Sequence, residues 1–272
     1  IAVNDNSSVY NYYRKVVMEI NREDIEDFIN KAKEINNNNN IKLVCIQHEF
    51  GIFGGEYGSY LIPFLETIQK PVVTTFHSVL ANPDPIRRRI VRFICEKSSA
   101  IVVMANKAID ILHDDYDIDR KKAYLVHHEI PTAPFKSSSR YKNRLRLENK
   151  KVISTFGLLS PGKGIEYMIR ALPKLVKKYP DLLYLIIGET HPKVRKNDGE
   201  SYRNMLTEEV EKLGLKDHVK FYNKYLSLKE IIEYLLASDI YVCTNLDPNQ
   251  IVSGTLAYAL GCGKAVVSTP VE

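Results

Sequence analysis

The chain has 272 residues, a length typical of one large or two ordinary domains. Hydrophobic residues make up 44% of it and charged residues 26%, which excludes a disordered chain, a collagen and a disulfide-stabilised miniprotein. The net charge of +5 does not by itself indicate a nucleic-acid partner, and no apolar run reaches the roughly 18–20 residues of a membrane-spanning helix.

The cysteines and histidines do not have the spacing of a metal site. The four cysteines are scattered without a CxxC pair: Cys45, Cys95, Cys243 and Cys262. The histidines form neither an HxxxH nor an HExxH pattern, so we predict no structural metal. Three of the cysteines lie in or beside apolar segments. We therefore predict free thiols in the core of a protein that resides in a reducing cytoplasm.

Short apolar runs alternate with amphipathic stretches along most of the chain. The apolar runs predict β-strands at 43–47, 72–76, 100–104, 123–127, 152–156, 182–187, 219–222, 239–243 and 265–268. Between them, helical spacing is clearest at Ile165, Met168, Ile169 and Leu172. Strands and helices in alternation predict βαβ units and parallel sheets with right-handed crossovers.

The alternation breaks between residues 131 and 151, where prolines and serines precede a basic run. Such composition is typical of a segment between domains. We therefore predict a first domain at 1–135, a linker at 136–150 and a second domain at 151–272, each with its own α/β sheet.

The segment 157–164, GLLSPGKG, follows a predicted strand and opens a helix. It nearly matches the P-loop pattern GxxxxGK[ST], but Gly164 lacks the hydroxyl that would bind Mg²⁺, which disfavours a P-loop NTPase. Free backbone N–H groups, a helix N-terminus and the ammonium of Lys163 together predict an anion site. The alternative is a glycine turn beside a solvated lysine.

A second candidate anion site is the Ser253-Gly254-Thr255 turn, which follows the strand ending at Cys243 and precedes a helix-like stretch at 256–260. It offers N–H groups, two hydroxyls and the positive end of a helix dipole. The alternative is a simple helix cap. Two such turns at the carboxyl ends of parallel strands lie where open α/β sheets bind ligands.

In the first half of the chain, the segment 47–58 also lies between a strand and a helix. Its spacing is not GxGxxG, and the next strand ends at His77 rather than at an acid that could bind a ribose. A nicotinamide-binding domain is therefore disfavoured. His48 and His77, with Glu49 and Glu56, are candidate functional residues at strand ends, and structural histidines are the alternative.

Three motifs together resemble one family over nearly the whole chain. HEFGIFGG at 48–55, FGLLSPGKGIEY at 156–167 and SGTLAYALG at 253–261 are similar to the family 4 glycosyltransferases. The resemblance implies a GT-B fold, with two Rossmann-like domains whose parallel sheets face a cleft. It implies transfer of a sugar from a nucleotide-sugar donor, with retention of configuration, to a saccharide or lipid-linked acceptor. It implies no metal and no cofactor besides the donor.

The resemblance also assigns roles to individual residues. On the donor side, it places the diphosphate at Gly162, Lys163, Gly164, Ser253, Gly254 and Thr255, and the nucleoside at Gly188 and Tyr258. It places the catalytic residues near the transferred sugar, and these are His77, Lys163 and Gln250. On the acceptor side, within the first domain, it places His48, Glu49, Gly54, Gly55 and Glu56.

The sequence departs from the family pattern at the donor site. Leu158 stands where an arginine is common, and Gln250 and Tyr258 stand where two glutamates are spaced eight apart. Family members also carry strands before and after the segment matched here, so we expect a piece of a longer protein with two incomplete domains. A GT-B phosphorylase and a degenerate, non-catalytic sugar- or nucleotide-binding module remain alternatives.

A basic stretch in the first domain suggests a further partner. Arg87, Arg88, Arg89 and Arg92 are interleaved with apolar residues and would form a basic amphipathic helix. Such a helix can contact anionic lipid at the inner membrane surface, and the alternative is a solvated helix face. We expect no nucleic-acid partner, because the basic run at 140–151 has few aromatic residues on which bases could stack.

Overall fold

The structure is a computed structural model that describes residues 1–5, 12, 14–133, 137–247 and 252–270. The chain divides into two compact units, of which the first holds residues 1–127 and the second begins at His128. Every strand pair in these described ranges is parallel, and helices connect most of the strands. None of the described helices is long and apolar enough to cross a membrane.

The first unit contains a four-stranded sheet in the order β3-β4-β5-β6 and a separate pair, β1-β2. Its elements in chain order are β1 (Ala2–Asn4), β2 (Glu19–Asn21), α1 (Ile25–Asn37), β3 (Val44–His48), α2 (Leu61–Thr67), β4 (Val72–Phe76), α3 (Pro85–Lys97), β5 (Ala100–Val103), α4 (Asn106–Tyr116) and β6 (Ala123–Leu125).

Helix α3 shows how local sequence sets an element of the first unit. The Asp84 side chain accepts hydrogen bonds from the backbone N–H groups of Ile86 and Arg87, and Pro85 occupies the first helical position. Both features favour a helix start, because they satisfy or remove donors that have no partner inside the helix. The buried face of α3 then carries Ile90 and Ile94 into the core.

The second unit contains a five-stranded sheet in the order β11-β10-β7-β8-β9. Its elements are α5 (Ser138–Leu145), β7 (Lys151–Phe156), α6 (Ile165–Lys178), β8 (Leu182–Ile187), α7 (Pro192–Asp198), α8 (Ser201–Lys212), β9 (Val219–Tyr222), α9 (Leu228–Ala237), β10 (Ile240–Cys243), α10 (Gly254–Gly261) and β11 (Ala265–Ser268).

The apolar middle of this second sheet contains a buried polar link between neighbouring strands. All six residues of β8 are buried, as expected for a strand covered by helices on both faces. The hydroxyl of Tyr184, which is fully buried, lies 2.8 Å from Thr155 Oγ1, and Thr155 donates to the carbonyl of Val242. Burial raises the pKa of the Tyr184 phenol. The link ties β7 to both of its neighbours, β8 and β10.

The sequence located most strands of both sheets but not all of them. The predicted strands 72–76, 182–187, 219–222 and 265–268 are confirmed residue for residue, and the parallel α/β class is confirmed. Strand β6 ends at Leu125 instead of residue 127. Strands β1 and β2 were missed, because they are three residues long and carry too few apolar side chains to form a period.

The predicted linker at 136–150 differs from the structure, which shows helix α5 in the second unit. The ammonium of Lys142 on α5 donates to both carboxylate oxygens of Asp239, at 2.8 and 2.7 Å, and to the carbonyl of Lys150. Asp239 also accepts from the N–H of Val152 in β7. Polar anchoring of this kind has no hydrophobic period, which explains why the sequence pattern indicated a linker.

All four cysteines are free thiols, but the prediction of core thiols is wrong for Cys45. Cys95, Cys243 and Cys262 are buried, whereas Cys45 is exposed. Strand β3 alternates, with Ile46 and His48 buried and Cys45 on its other, exposed face. Burial raises the pKa of the Cys95 thiol to about 12.

We predict that Lys142→Met destabilises the second unit by about 2 kcal/mol, because Asp239 and the carbonyl of Lys150 lose a charged hydrogen-bond donor whose side chain is only 12% exposed. Urea denaturation followed by circular dichroism measures the change. Lys177→Met on the exposed face of α6 is the matched control and should stay within about 0.5 kcal/mol of the wild type. Equal stability of the two variants would contradict a structural role for α5.

Candidate functional site

Two glycines allow the loops after β7 and β8 to pass each other at backbone contact. Gly157 and Gly188 have φ angles of 133° and 137°, which favour glycine. A Cβ atom on Gly188 would lie 2.1 Å from the carbonyl oxygen of Gly157, closer than any side chain can approach. The N–H of Gly157 donates to Ile187, and that of Gly188 donates to Tyr222. Backbone hydrogen bonds therefore join the carboxyl ends of β7, β8 and β9, with no side chain between Gly157 and Gly188.

The loop at 160–164 is joined to the loop after β10. A 3-10 turn spans Pro161–Lys163, and Gly164 follows it with φ 58°. A Cβ atom on Gly164 would lie 2.5 Å from the carbonyl oxygen of Thr244. Thr244 Oγ1 donates to the carbonyl of Lys163 at 2.7 Å. Since β7 and β10 are neighbours in the sheet, the predicted glycine-lysine loop is held at its carboxyl edge.

Lys163 is the cation of this loop, and it is half-buried. Burial lowers the pKa of its ammonium because a charge loses hydration there, and the nearby Cys243 thiol acts weakly in the opposite direction. An ammonium that is partly stripped of water gains more from a bound anion than a fully solvated one does. The position and burial of Lys163 are those expected of a residue that binds an anion.

The start of α10 presents backbone donors in the same unit. Ser253 caps the helix, and its Oγ accepts from the N–H of Leu256 at 3.3 Å and lies 3.1 Å from Thr255 Oγ1. Gly254 and Thr255, the first two helical residues, have N–H groups with no acceptor inside the helix. A Cβ atom on Gly157 would lie 3.3 Å from Thr255 Cγ2, so the start of α10 borders the β7 loop.

Beside these loops lies a shallow and mostly apolar pocket. It contains Gly157 and Gly188, and its exposed walls are Leu158 and Tyr225, at 37% and 79% exposure. It is completed by Phe156, Ile187, Glu189, Lys224, Leu226 and Ile231. A flat apolar group could bind between such walls. Leu158 and Gly188 were singled out from sequence, whereas the contribution of the loop at 224–226 was missed.

Tyr258 lies one turn along α10 and packs within the second unit. Its ring centroid is 6.3 Å from that of Phe156 and 6.1 Å from that of His128. The ring of His128 also lies against Gly254, since a Cβ atom there would be 3.0 Å from His128 Nε2. Sequence reasoning missed His128, which lies in an irregular segment without any motif. Gln250, predicted as catalytic, lies outside the described residues.

In the first unit, the ends of β3 and β4 bring three predicted residues together. His77 is exposed, its backbone N–H donates to the carbonyl of His48, and its Nε2 lies 2.7 Å from Gln47 Oε1. Ser78 Oγ donates to both carboxylate oxygens of Glu49, at 2.5 and 2.6 Å. Hydrogen bonds thus restrain the side chains of His77 and Glu49 at the edge of the sheet.

His48 lies in the core rather than on the acceptor-facing surface that the sequence predicted. Its side chain is fully buried among the rings of Phe50, Phe53 and Phe76. Within the described part of the chain neither ring nitrogen has a hydrogen-bond partner. Burial, with a smaller contribution from the nearby His77, lowers the pKa of His48 to about 4. The strand alternation explains the burial, because His48 shares a face with Ile46.

The predicted glycine loop of the first unit is tightly wound. Gly54 packs against the carbonyl oxygen of Arg22, where a Cβ atom would clash, and Gly55 has φ 73°. Tyr57 adopts φ 52°, an uncommon conformation for a residue other than glycine. The guanidinium of Arg87 lies 4.0 Å from the centroid of the Tyr57 ring. This cation–π contact holds the loop, and Glu56 stays exposed beside it.

The arginines predicted to contact a membrane do lie on one helix, α3, but three of them have partners in their own unit. Arg87 pairs with Asp84 at 3.1 Å. Arg88 and Arg92 both pair with Asp117, at 2.6 and 2.8 Å. Much of the basic charge of this helix is therefore balanced within the first unit.

Comparison with known families shows where the chain belongs. The model of the group 1 glycosyl transferases matches residues 137–272, which is half of the chain and includes both turns that the sequence predicted as anion sites. The chain belongs to this family.

Two curated proteins are similar in sequence to parts of this chain. The chain is 30% identical to spore coat protein SA of Bacillus subtilis over 106 residues, which is 38% of this chain and 26% of that protein. It is 22% identical to an uncharacterized glycosyltransferase of Methanocaldococcus jannaschii over 189 residues, 68% of this chain and 44% of that one. The chain thus spans less than half the length of these curated relatives.

Solved structures show the fold. Anabaena HepE, crystallised with UDP and glucose, superimposes with a TM-score of 0.71 at 16% identity, over 92% of this chain and 66% of that one. Sucrose-phosphate synthase from Thermosynechococcus elongatus has a TM-score of 0.69 at 17% identity, over 91% and 60%. The fold is that of the GT-B glycosyltransferases.

We predict that Gly188→Ala destabilises the second unit by about 2 kcal/mol, because the added methyl group cannot fit against the Gly157 carbonyl and φ 137° is strained for alanine. Thermal denaturation measures the loss. Gly162→Ala is the matched control, since a Cβ atom there meets nothing within 4 Å. A melting temperature unchanged in Gly188→Ala would contradict the contact.

We predict that His48 makes the first unit less stable in acid. With a folded pKa of about 4 and an unfolded value of roughly 6.5, only the unfolded state binds a proton between these values. Stability therefore falls with pH from about 6.5 downward, by about 2 kcal/mol at pH 5.

His48→Leu removes a component of this slope, and urea denaturation at pH 7.5 and pH 5 measures it. The matched control is His127→Leu at an exposed histidine of the same unit, which should keep the wild-type slope. An unchanged slope in His48→Leu would show that the imidazole reaches solvent.

Proposed function

We propose that this chain is part of a retaining glycosyltransferase. It would move a sugar from a nucleotide-sugar donor to a saccharide or lipid-linked acceptor, without a metal or a further cofactor. The observation that carries the proposal is the donor set of the second unit. Lys163 and the first turn of α10 lie on loops that follow the neighbouring strands β7 and β10. Family membership and the UDP named with HepE support the same reading.

The diphosphate of the donor would bind at these loops. Lys163 supplies a cation, and Gly254 and Thr255 supply N–H groups at the positive end of a helix dipole. Gly162 and Gly164 keep the loop free of side chains, and Ser253 stabilises the helix start. These groups are oriented before the ligand binds, so they can stabilise charge that develops on the leaving diphosphate without Mg²⁺.

The proposed reaction needs no nucleophile from the protein. The acceptor hydroxyl forms a bond to the anomeric carbon on the face from which the diphosphate leaves, and the bond from that carbon to the phosphate oxygen breaks. The acceptor proton passes to the leaving phosphate, and configuration is retained.

We assign His77 to the transferred sugar. Glu49, Gly54, Gly55 and Glu56 would border the acceptor.

The nucleoside would bind in the apolar pocket beside Gly157 and Gly188. Leu158 and Tyr225 form its exposed walls, so a base could stack there. Tyr258 has no carboxylate for the two ribose hydroxyls, and its ring packs against Phe156. Ribose recognition would therefore depend on stacking and backbone contacts more than on charge.

A second candidate function is a binding module without turnover. The observations that favour it are Leu158 in place of a cationic side chain and Tyr258 in place of a carboxylate. Both changes remove charged contacts to the donor, and each could weaken catalysis more than binding. Donor binding without sugar transfer would distinguish this module from an enzyme. Activity that depends on free phosphate and no nucleotide would indicate the phosphorylase alternative.

Membrane contact through α3 is not part of the proposed function. Arg87, Arg88 and Arg92 pair with aspartates of the same unit, so an anionic lipid would have to displace these partners. The function that we propose also includes no nucleic-acid partner.

A nucleotide panel tests the proposed function. Thermal denaturation is measured with UDP, GDP, ADP and their sugar conjugates, each with and without Mg²⁺. A ligand at about 100 times its dissociation constant adds about 2.7 kcal/mol to the free energy of unfolding. We expect stabilisation by one nucleotide family with no requirement for Mg²⁺. Stabilisation by none of them, with the chain folded, would contradict a donor site.

We predict that Lys163→Gln weakens binding of the nucleoside diphosphate by about 10–100-fold, since a charged hydrogen bond contributes roughly 1.5–3 kcal/mol. Isothermal titration calorimetry measures the affinity. Lys174→Gln, at an exposed position of the following helix, is the matched control. Equal affinity in the two variants would remove Lys163 from the diphosphate site.

A further inference from the structure

An imidazole lies beside the first residue of α10. The ring atom of His128 nearest to a Cβ atom on Gly254 would be Nε2, at 3.0 Å, followed by Cε1 at 3.5 Å and Cδ2 at 3.8 Å. His128 thus turns one nitrogen towards the helix start at which we propose that the diphosphate binds. His128 is partly exposed, so a ligand at this turn could reach it.

The other ring nitrogen determines the tautomer of His128. Nδ1 lies 2.7 Å from the carbonyl oxygen of Glu129, and a carbonyl oxygen can only accept a hydrogen bond. The neutral ring therefore carries its hydrogen on Nδ1, and the lone pair of Nε2 points towards α10. The ring also packs edge to face with that of Tyr258, at an interplanar angle of 74°.

A diphosphate at the first turn of α10 would require a hydrogen on Nε2 of His128. Without one, the Nε2 lone pair would face the phosphate oxygen atoms, and two electron-rich atoms repel each other. With a hydrogen on Nε2, the ring is a cation that can donate a charge-assisted hydrogen bond to the diphosphate.

We propose that His128 takes up a proton at Nε2 when a nucleoside diphosphate binds, and then donates that hydrogen to the diphosphate. The inference rests on the proposed function, because it needs the diphosphate at α10. The proton comes from solvent, and no covalent bond is made. An imidazolium at this place would stabilise the leaving diphosphate, and the affinity for nucleoside diphosphates would increase as the pH falls.

The established neighbours of His128 in the described part of its unit come from α10 and from its own segment. From α10, Gly254 and the ring of Tyr258 lie against it. From its own segment, Glu129 follows it directly and is exposed. Beyond Glu129, Ile130 and Pro131 pack against Gly261 and carry no charge. Lys163, which we also assign to the diphosphate, has a pKa that burial lowers, so proton uptake by the imidazole is identified by comparison with a neutral variant of His128.

The test is the number of protons bound with the nucleotide. Isothermal titration calorimetry with UDP, GDP or ADP is performed at pH 7.5 in two buffers of different ionisation enthalpy, since the dependence of the observed enthalpy on the buffer gives the proton uptake. We compare wild type with His128→Gln, which keeps an N–H donor but cannot titrate. At this pH the terminal phosphate of the nucleotide is mostly ionised, and its own contribution is common to both proteins.

We expect wild type to take up about one proton more than His128→Gln. Its dissociation constant should rise by up to about tenfold per pH unit above pH 7, with a flatter profile in the variant. His127→Gln, at the neighbouring histidine, is the matched control and should behave as wild type. Circular dichroism checks the fold, and His128→Asn is a second neutral variant should His128→Gln not fold.

The outcomes separate the two proposals. Nucleotide binding with the same proton uptake in wild type and in the neutral variants overturns the role of His128 and leaves the donor site intact. A folded wild type that binds no nucleoside diphosphate overturns the proposed function, and the inference about His128 with it.

Discussion

The second unit depends on the backbone contact between Gly157 and Gly188. The two loops meet with no side chain between them, and only residues without a Cβ atom allow this approach. The contact brings the ends of β7 and β8 together, and the loop after β7 is then bonded to the loop after β10 through Thr244. Lys163 and the start of α10 owe their positions to this arrangement.

The same arrangement buries much of the Lys163 side chain. A half-buried ammonium is costly when no anion is present, because it has lost hydration. That cost is offset when an anion binds. The burial that lowers the pKa of Lys163 is therefore also a physical reason for the diphosphate binding that we propose at this loop. A proton on His128, as proposed above, would add a further positive charge when the diphosphate binds.

In the first unit, the alternation of one strand decides which candidate residues can react. His48 lies on the buried face of β3, where three phenylalanine rings surround it. Glu49, the next residue, is held by Ser78 outside the core. His77 ends the neighbouring strand and stays exposed. A shift of one residue in β3 would exchange these roles, because side chains alternate between the two faces.

The sequence by itself determined the parallel α/β class, most strands of both sheets and the two turns that carry Lys163 and Ser253, because hydrophobic period, glycine position and helix caps are local properties. Only the tertiary structure decided that residues 138–145 form a helix anchored by Asp239, that His48 is buried and that His128 borders Gly254. Those features depend on contacts between residues far apart in the chain. Local patterns contain no record of such contacts, since a side chain takes its burial and its charge environment from whatever the fold places against it.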